Sequence, residues 1–200
     1  MKIISLGGVG GCVLAQALRD LKQPAYPYDW LITTQSFIIN SLNNFNNFFD
    51  FNNNYIYDKT KLLVHDKKAI MLHDFYDFDL QKEEVIAKYK RRFDRLNNCL
   101  QSKEDILFVR IYDNLKEVLI PINYYDDLLI REEENIEKWD QFIQSVKEKY
   151  NKKIKLLIIT STEDICGKEY NNIILYFTKK HQNSRNIYNI IENIEKSCNK

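Results

Sequence analysis

Four of the five glycines in this chain lie in the short segment from Gly7 to Gly11, and that segment constrains the fold more than any other feature. It follows a β-prone run, Lys2 to Leu6, and precedes apolar residues that recur at helical spacing. A helix is therefore predicted from about Cys12 onward. A strand, a glycine turn and a helix in succession form the opening unit of an α/β protein.

The rest of the chain continues this alternation. Apolar runs predict strands at residues 69–72, 105–111, 155–160 and 173–177, and amphipathic segments predict helices at 34–42, 83–100, 124–130, 133–150 and 186–196. Strands alternating with helices favour a parallel sheet covered on both faces. We therefore predict one α/β domain over residues 1–200, with a mainly parallel central sheet flanked by helices.

Composition narrows the function classes. The 29 Lys and Arg residues nearly balance the 28 Asp and Glu residues, so the net charge is only +1. No global field attracts nucleic acid or an anionic membrane, and neither is an expected partner. No apolar run reaches the length of a membrane span, and no signal-peptide pattern is visible. The four cysteines are scattered without a C-x-x-C spacing, which favours reduced thiols in a cytoplasm and no metal or cofactor.

The glycine segment has one interpretation as a phosphate cradle. Residues 5–10 form a G-x-G-x-x-G pattern with Ser5 in the first position. A dinucleotide site also requires an acidic residue at the end of a second strand about 20 residues further on. Asp29 has this spacing, although it lies in a loop between Pro27 and Trp30. A non-catalytic, Rossmann-like nucleotide- or phosphate-binding module using Gly7–Gly11 therefore stays open as the alternative function.

The other interpretation concerns Cys12, at the predicted start of the first helix. The helix dipole stabilises a thiolate there and predicts a lowered pKa. The backbone amides of Gly10, Gly11 and Cys12 would point at the same place and suit an oxyanion. A lone cysteine at a helix start is also common as a small buried residue.

A resemblance to a known family favours the interpretation based on Cys12. The sequence resembles a family of unknown function described as "putative papain-like cysteine peptidases", over roughly residues 3 to 112. The matching pieces, in order, are Ser5-Leu6-Gly7, Cys12-x-x-Ala15-x-x-Leu18, Tyr26-Pro27-Tyr28-Asp29-Trp30, Phe45-x-x-Phe48-Phe49-Asp50, His73-Asp74-Phe75, Lys88-Tyr89-x-Arg91-Arg92-Phe93-x-Arg95-Leu96 and Leu107-Phe108-Val109-Arg110. Papain-like folds pair a helical lobe with an antiparallel barrel, so the sheet predicted above limits the likeness to the Cys–His arrangement.

The resemblance implies that Cys12 is the nucleophile and His73 its base. An imidazole is suited to this role because it can accept the proton of a thiol at neutral pH. A carboxylate should orient the imidazole, and Asp29 and Asp74 are both candidates. The implied reaction is hydrolysis or acyl transfer on a peptide or a small amide or ester.

The same hypothesis predicts the surroundings of Cys12. Gly10, Gly11 and Trp30 would contact the substrate, with Tyr28 and Trp30 as walls of a cleft. Arg110, near the end of a strand, would hold a carboxylate or phosphate. The strand that ends near residue 72 should then lie beside or near the strand that ends near residue 6, at the carboxyl edge of the sheet. Nothing in the sequence fixes the oligomeric state.

Overall fold

The computed structural model describes residues 1–8, 10–49, 54–57, 62–65, 68–71, 78–112, 134–161, 170–178 and 183–198. The elements in chain order are β1 (Lys2–Gly8), α1 (Gly11–Asp20), β2 (Leu31–Thr33), α2 (Gln35–Asn43), a short 3₁₀ helix (Phe45–Phe49), β3 (Asn54–Tyr57), β4 (Leu62–His65), β5 (Ala69–Met71), α3 (Phe78–Gln101), β6 (Ile106–Tyr112), α4 (Ile136–Tyr150), β7 (Ile154–Thr160), β8 (Ile173–Phe177) and α5 (Ser184–Cys198).

A four-stranded parallel sheet in the order β1-β6-β7-β8 forms the centre of the molecule. Its middle strands are buried along almost their whole length, as expected for parallel strands covered on both faces. Phe108 of β6 packs in a cluster with residues of α3 and α4. Its neighbours Leu107 and Val109 pack in a second cluster with residues of α1 and α5.

The predicted fold class is therefore confirmed: the chain is an α/β protein whose mainly parallel sheet is flanked by helices. The predicted strands at 105–111, 155–160 and 173–177 correspond to β6, β7 and β8. The helix expected at 124–130 lies outside the described residues, and the extent of the domain over 1–200 stays a prediction. No helix in the described part of the chain is long and apolar enough to cross a membrane.

A second sheet, which the sequence pattern did not predict, has the antiparallel order β2-β5-β4-β3. The run at 69–72 was expected in the parallel sheet, and this expectation is wrong because that run forms β5 of the second sheet. Only three residues separate β4 from β5, and so short a connection joins antiparallel strands, whereas parallel strands need a long crossover.

The two sheets meet where β2 lies against β1. Leu31 and Met71 of the second sheet belong to the same hydrophobic cluster as Leu6 and Phe108 of the parallel sheet. Next to this junction, Thr34 caps α2 by accepting a hydrogen bond from the Phe37 N–H at 3.3 Å, which confirms the predicted start of that helix. The junction brings the glycine turn, α1 and β2 together.

Candidate functional site

The turn between β1 and α1 leaves no room for a side chain at Gly8 or Gly11. A Cβ at Gly8 would lie 2.2 Å from the carbonyl oxygen of Ile111, and the φ of Gly8 is +104°. A Cβ at Gly11 would lie 2.1 Å from the carbonyl oxygen of Leu31. These glycines are required because the turn is pressed against β6 on one side and β2 on the other.

The same contacts weaken the interpretation as a phosphate cradle. The N–H of Gly7 donates to the Ser5 hydroxyl at 2.9 Å, and the N–H of Gly8 donates to the Thr33 hydroxyl at 3.0 Å. Two amides that a phosphate would need are thus already bonded, and a carbonyl oxygen, that of Ile111, is packed against Gly8. Since carbonyl oxygens repel anions, the turn does not favour the nucleotide-binding alternative.

Cys12 is the second residue of α1 and is half-buried. The N-cap residue of this helix is Gly10, which has no side chain to cap it, and the first amides of a helix have no acceptor within the helix itself. Burial nevertheless raises the pKa of the Cys12 thiol to about 11. The expected lowering of this pKa is therefore wrong for the described structure, because burial removes the hydration that stabilises a thiolate. A thiol in this state needs a base before it can react.

The register of the second sheet decides where the chain leads after β5. Met71, the last residue of β5, pairs with Leu31, the first residue of β2. The carbonyl of Leu31 is the group packed against Gly11 beside Cys12. The strand that precedes His73 thus ends one strand away from the nucleophile's turn, although not at the edge of the parallel sheet as expected. His73 and Asp74 themselves lie outside the described residues.

Asp29 is buried and half-satisfied. One carboxylate oxygen, Oδ2, accepts the N–H of Tyr26 at 2.8 Å, and the other, Oδ1, has no hydrogen-bond partner among the described residues. Burial raises the pKa of Asp29 to about 6, although the Tyr26 amide and the charges of Arg92 and Arg95 act in the opposite direction. Asp29 therefore holds its own turn with one oxygen and keeps the other available.

Arg110 does not face a substrate, and this corrects the expectation that it would bind a carboxylate or phosphate. Its Nη1 donates to the Leu6 carbonyl and to the Thr33 hydroxyl, both at 3.0 Å, and its Nη2 donates to the Thr33 carbonyl at 2.9 Å. Its Nε donates to Glu134, with which it forms a buried ion pair. The other oxygen of Glu134 accepts from the Trp139 indole N–H at 2.8 Å.

Thr33 connects the glycine turn to Arg110. Its hydroxyl accepts from Gly8 and Arg110 and donates to the Leu6 carbonyl at 3.1 Å. The Arg110–Glu134 pair therefore supports the glycine turn from behind. Sequence reasoning missed Thr33 and Glu134, and no local pattern marks them, because their partners are remote along the chain.

The aromatic residues of the predicted cleft have different positions. Tyr28 is fully buried, its hydroxyl bonds the Ser41 hydroxyl at 2.8 Å, and its ring meets Phe93 edge-on at 5.9 Å. It belongs to the core, so the expectation that it walls a cleft is wrong. Trp30 is half-buried, has a φ of +68°, and directly precedes Leu31 at the turn. Trp30 therefore stays a candidate wall.

The fold and the site together define an α/β protein that presents a cysteine at a strand–turn–helix junction. Comparison with known families agrees with this class, because a family model described as "Putative papain-like cysteine peptidase (DUF1796)" matches residues 1–148. The chain belongs to this family. Comparisons with curated proteins and with solved structures found no match.

Proposed function

We propose that this protein is a cysteine-nucleophile hydrolase or acyltransferase that acts on a peptide or a small amide or ester. Cys12 is the nucleophile, His73 is the base, and Asp29 or Asp74 orients the imidazole. Membership of the family described above supports the general kind of activity.

One observation carries the assignment of the two reacting residues. The end of β5 pairs with Leu31, and Leu31 is packed against Gly11 next to Cys12. His73 is two residues beyond Met71, and two residues span at most about 7 Å. An imidazole starting from this point is within reach of a thiol at the start of α1.

The proposed reaction needs only groups of this chain and the substrate. His73 accepts the thiol proton, and the Cys12 sulfur forms a bond to the substrate carbonyl carbon. The oxyanion receives hydrogen bonds from the amides of Gly11 and Cys12 at the start of α1. The bond to the leaving amine or alcohol then breaks as the imidazolium returns the proton. Water, or a second acceptor, gives a proton to His73 as it attacks the acyl-enzyme. The bond between the acyl carbon and the Cys12 sulfur then breaks, and the proton returns to that sulfur as the product leaves.

The raised pKa of Cys12 fits a pair that is neutral at rest. A thiol with a pKa of about 11 stays protonated at neutral pH, so proton transfer to His73 must accompany the attack. Protonation of His73 at lower pH then removes the base.

The test is the rate of Cys12 alkylation by iodoacetamide as a function of pH, followed by peptide mass spectrometry. In the wild type we expect reactivity well below pH 8.5, the approximate pKa of a free thiol. In His73→Ala we expect the profile to move toward pH 11, the value that burial imposes. His65→Ala is the matched control, because His65 lies in β4 and β5 separates it from β2.

Two results would end the proposal. One is an identical pH profile for the wild type and His73→Ala. The other is wild-type labelling of Cys12 that is no faster than labelling of Cys198, which serves as a reference thiol within the same sample.

A further inference from the structure

The long helix α3 carries mixed charges in its first turns, which include Glu83 and Glu84, and an uneven set of charges after them. Between Val85 and Gln101 it holds five Lys and Arg residues and one acidic residue, Asp94. Four of the cations recur at i, i+3, i+4 and i+7, a spacing that places them on one side of a helix. We call this set the α3 cation flank: Lys88, Arg91, Arg92 and Arg95.

The flank lies along the aromatic segment that leads to the candidate site. Arg95 donates a hydrogen bond to the carbonyl of Ala25, and the charges of Arg92 and Arg95 both lower the pKa of Asp29. Asp29 precedes by two residues the Leu31 that touches the turn of Cys12. Two residues span at most about 7 Å, so a short segment connects the carboxylate that the flank influences to the turn of Cys12.

Arg92 contains a buried donor whose bonding capacity is unused. Its Nη1 is shielded from solvent and has no hydrogen-bond partner in the described part of the chain. Asp29 does not satisfy it, since Oδ1 of Asp29 is also without a partner. The guanidinium carbon lies 5.3 Å from the centre of the Tyr89 ring, and this cation–π contact supplies no hydrogen-bond acceptor for Nη1. A buried polar group without a partner is costly unless something else supplies one.

Two positive charges, those of Lys88 and Arg92, lie near the same Tyr89 ring. The Lys88 ammonium lies 5.7 Å from the same Tyr89 ring, one helical turn from Arg92. Burial, together with the charges of Arg92 and Arg91, lowers the pKa of Lys88 to about 8. Cations at i and i+4 destabilise a helix. Combinations that oppose stability are concentrated at functional sites, where a ligand supplies the missing charge.

We propose that the α3 cation flank, centred on the unsatisfied Nη1 of Arg92, binds an oxyanion, carboxylate or phosphate, carried by the substrate. That the ligand is a substrate rests on the proposed function, whereas the binding itself does not. Arginine is suited to this role because its planar N–H groups match the oxygens of both anions.

Binding is tested on the full chain by melting temperature, with glutarate and inorganic phosphate as probes and neutral glutaramide as the uncharged counterpart. We expect both anions, or one of them, to raise the melting temperature of the wild type while glutaramide does not. Arg92→Gln should lose more than half of that shift. Arg19→Gln, which removes the same charge from an exposed position of α1, should retain it.

Arg91→Gln covers the case in which Arg92→Gln does not fold, because Arg91 is exposed and its loss should weaken the shift without affecting the core. Equal shifts in the wild type and in every folded flank variant would overturn the proposal, and so would the absence of any shift. A shift with phosphate alone, or with glutarate alone, identifies which oxyanion the flank accepts.

Alkylation of Cys12 separates this proposal from the proposed function. Iodoacetate carries a carboxylate, and iodoacetamide is its neutral analogue. We expect Arg92→Gln to lower the ratio of their rates at Cys12 by at least about twofold, and Arg19→Gln to leave it unchanged. If neither reagent labels Cys12, the proposed nucleophile fails, while the melting experiment still decides whether the flank binds anions.

Discussion

Arg110 and Arg92 differ in how fully their N–H groups are hydrogen-bonded. Arg110 is buried with its carboxylate partner Glu134, and its N–H groups also reach Leu6 and Thr33. Arg92 lies beside Asp29, yet a buried nitrogen of one and a buried oxygen of the other are without hydrogen bonds. The first arrangement stabilises a fold, and the second leaves binding capacity for something outside it.

The largest expected effect comes from breaking the satisfied pair. Glu134→Gln leaves the Arg110 charge buried without its counterion, and such a loss costs about 3–5 kcal/mol of unfolding free energy. Urea unfolding measures it. Glu104→Gln is the matched control, because Glu104 pairs with Lys2 at the surface and such pairs contribute about 0–1 kcal/mol. Similar losses in both variants would contradict the contrast between a buried and an exposed pair.

Removing the charge of Asp29 should stabilise the protein, in contrast to removing the charge of Glu134. The pKa of Asp29 is about 6 in the folded chain and 3.8 ordinarily, so the folded state holds its proton more tightly. This favours folding below about pH 4, and the contribution is lost as pH rises to about 6. Above that pH, Asp29→Asn should be more stable than the wild type by up to about 3 kcal/mol.

Unfolding curves between pH 4 and pH 8 check this prediction. The difference between the wild type and Asp29→Asn should grow with pH, whereas Asp20→Asn on the exposed end of α1 should follow the wild type. A wild type that is more stable than Asp29→Asn at pH 8 would show that the Asp29 charge is compensated after all.

The smallest effect concerns the hydroxyl that joins Arg110 to the glycine turn. Thr33→Val removes the acceptor of the Gly8 N–H and should cost about 1–3 kcal/mol. If the turn positions Cys12, the alkylation rate of Cys12 should also fall. Thr33→Ser keeps the hydroxyl and should restore that rate, which a loss of packing alone would not allow.

Sequence patterns predicted the elements around Cys12 more fully than the strand that leads to His73. The starts of α1 and α2 and the strands β6, β7 and β8 were predicted nearly in place, because each depends on residues within one short window. The position of the run at 69–72 was predicted wrongly, because pairing with β2 and β4 places this run in the second sheet.

The sequence also identified candidate residues better than it predicted their burial and hydrogen bonding. The sequence singled out Cys12 as chemically important, but burial reversed the predicted direction of its pKa shift. It singled out Arg110 as a ligand-binding residue, but the fold encloses it. Arg92 is not among the site residues that the sequence predicts, and burial of its Nη1 makes it a candidate anion site.

The sequence by itself determined the α/β class, the strand–glycine–helix opening and the family, because periodicity and motifs are local properties. Only the tertiary structure decided which charges are satisfied. Arg110 meets Thr33 across 77 residues and Leu6 across 104. Hydrogen bonding and loss of hydration depend on what surrounds an atom in space, and neighbours this remote in sequence are fixed only when the two sheets pack together.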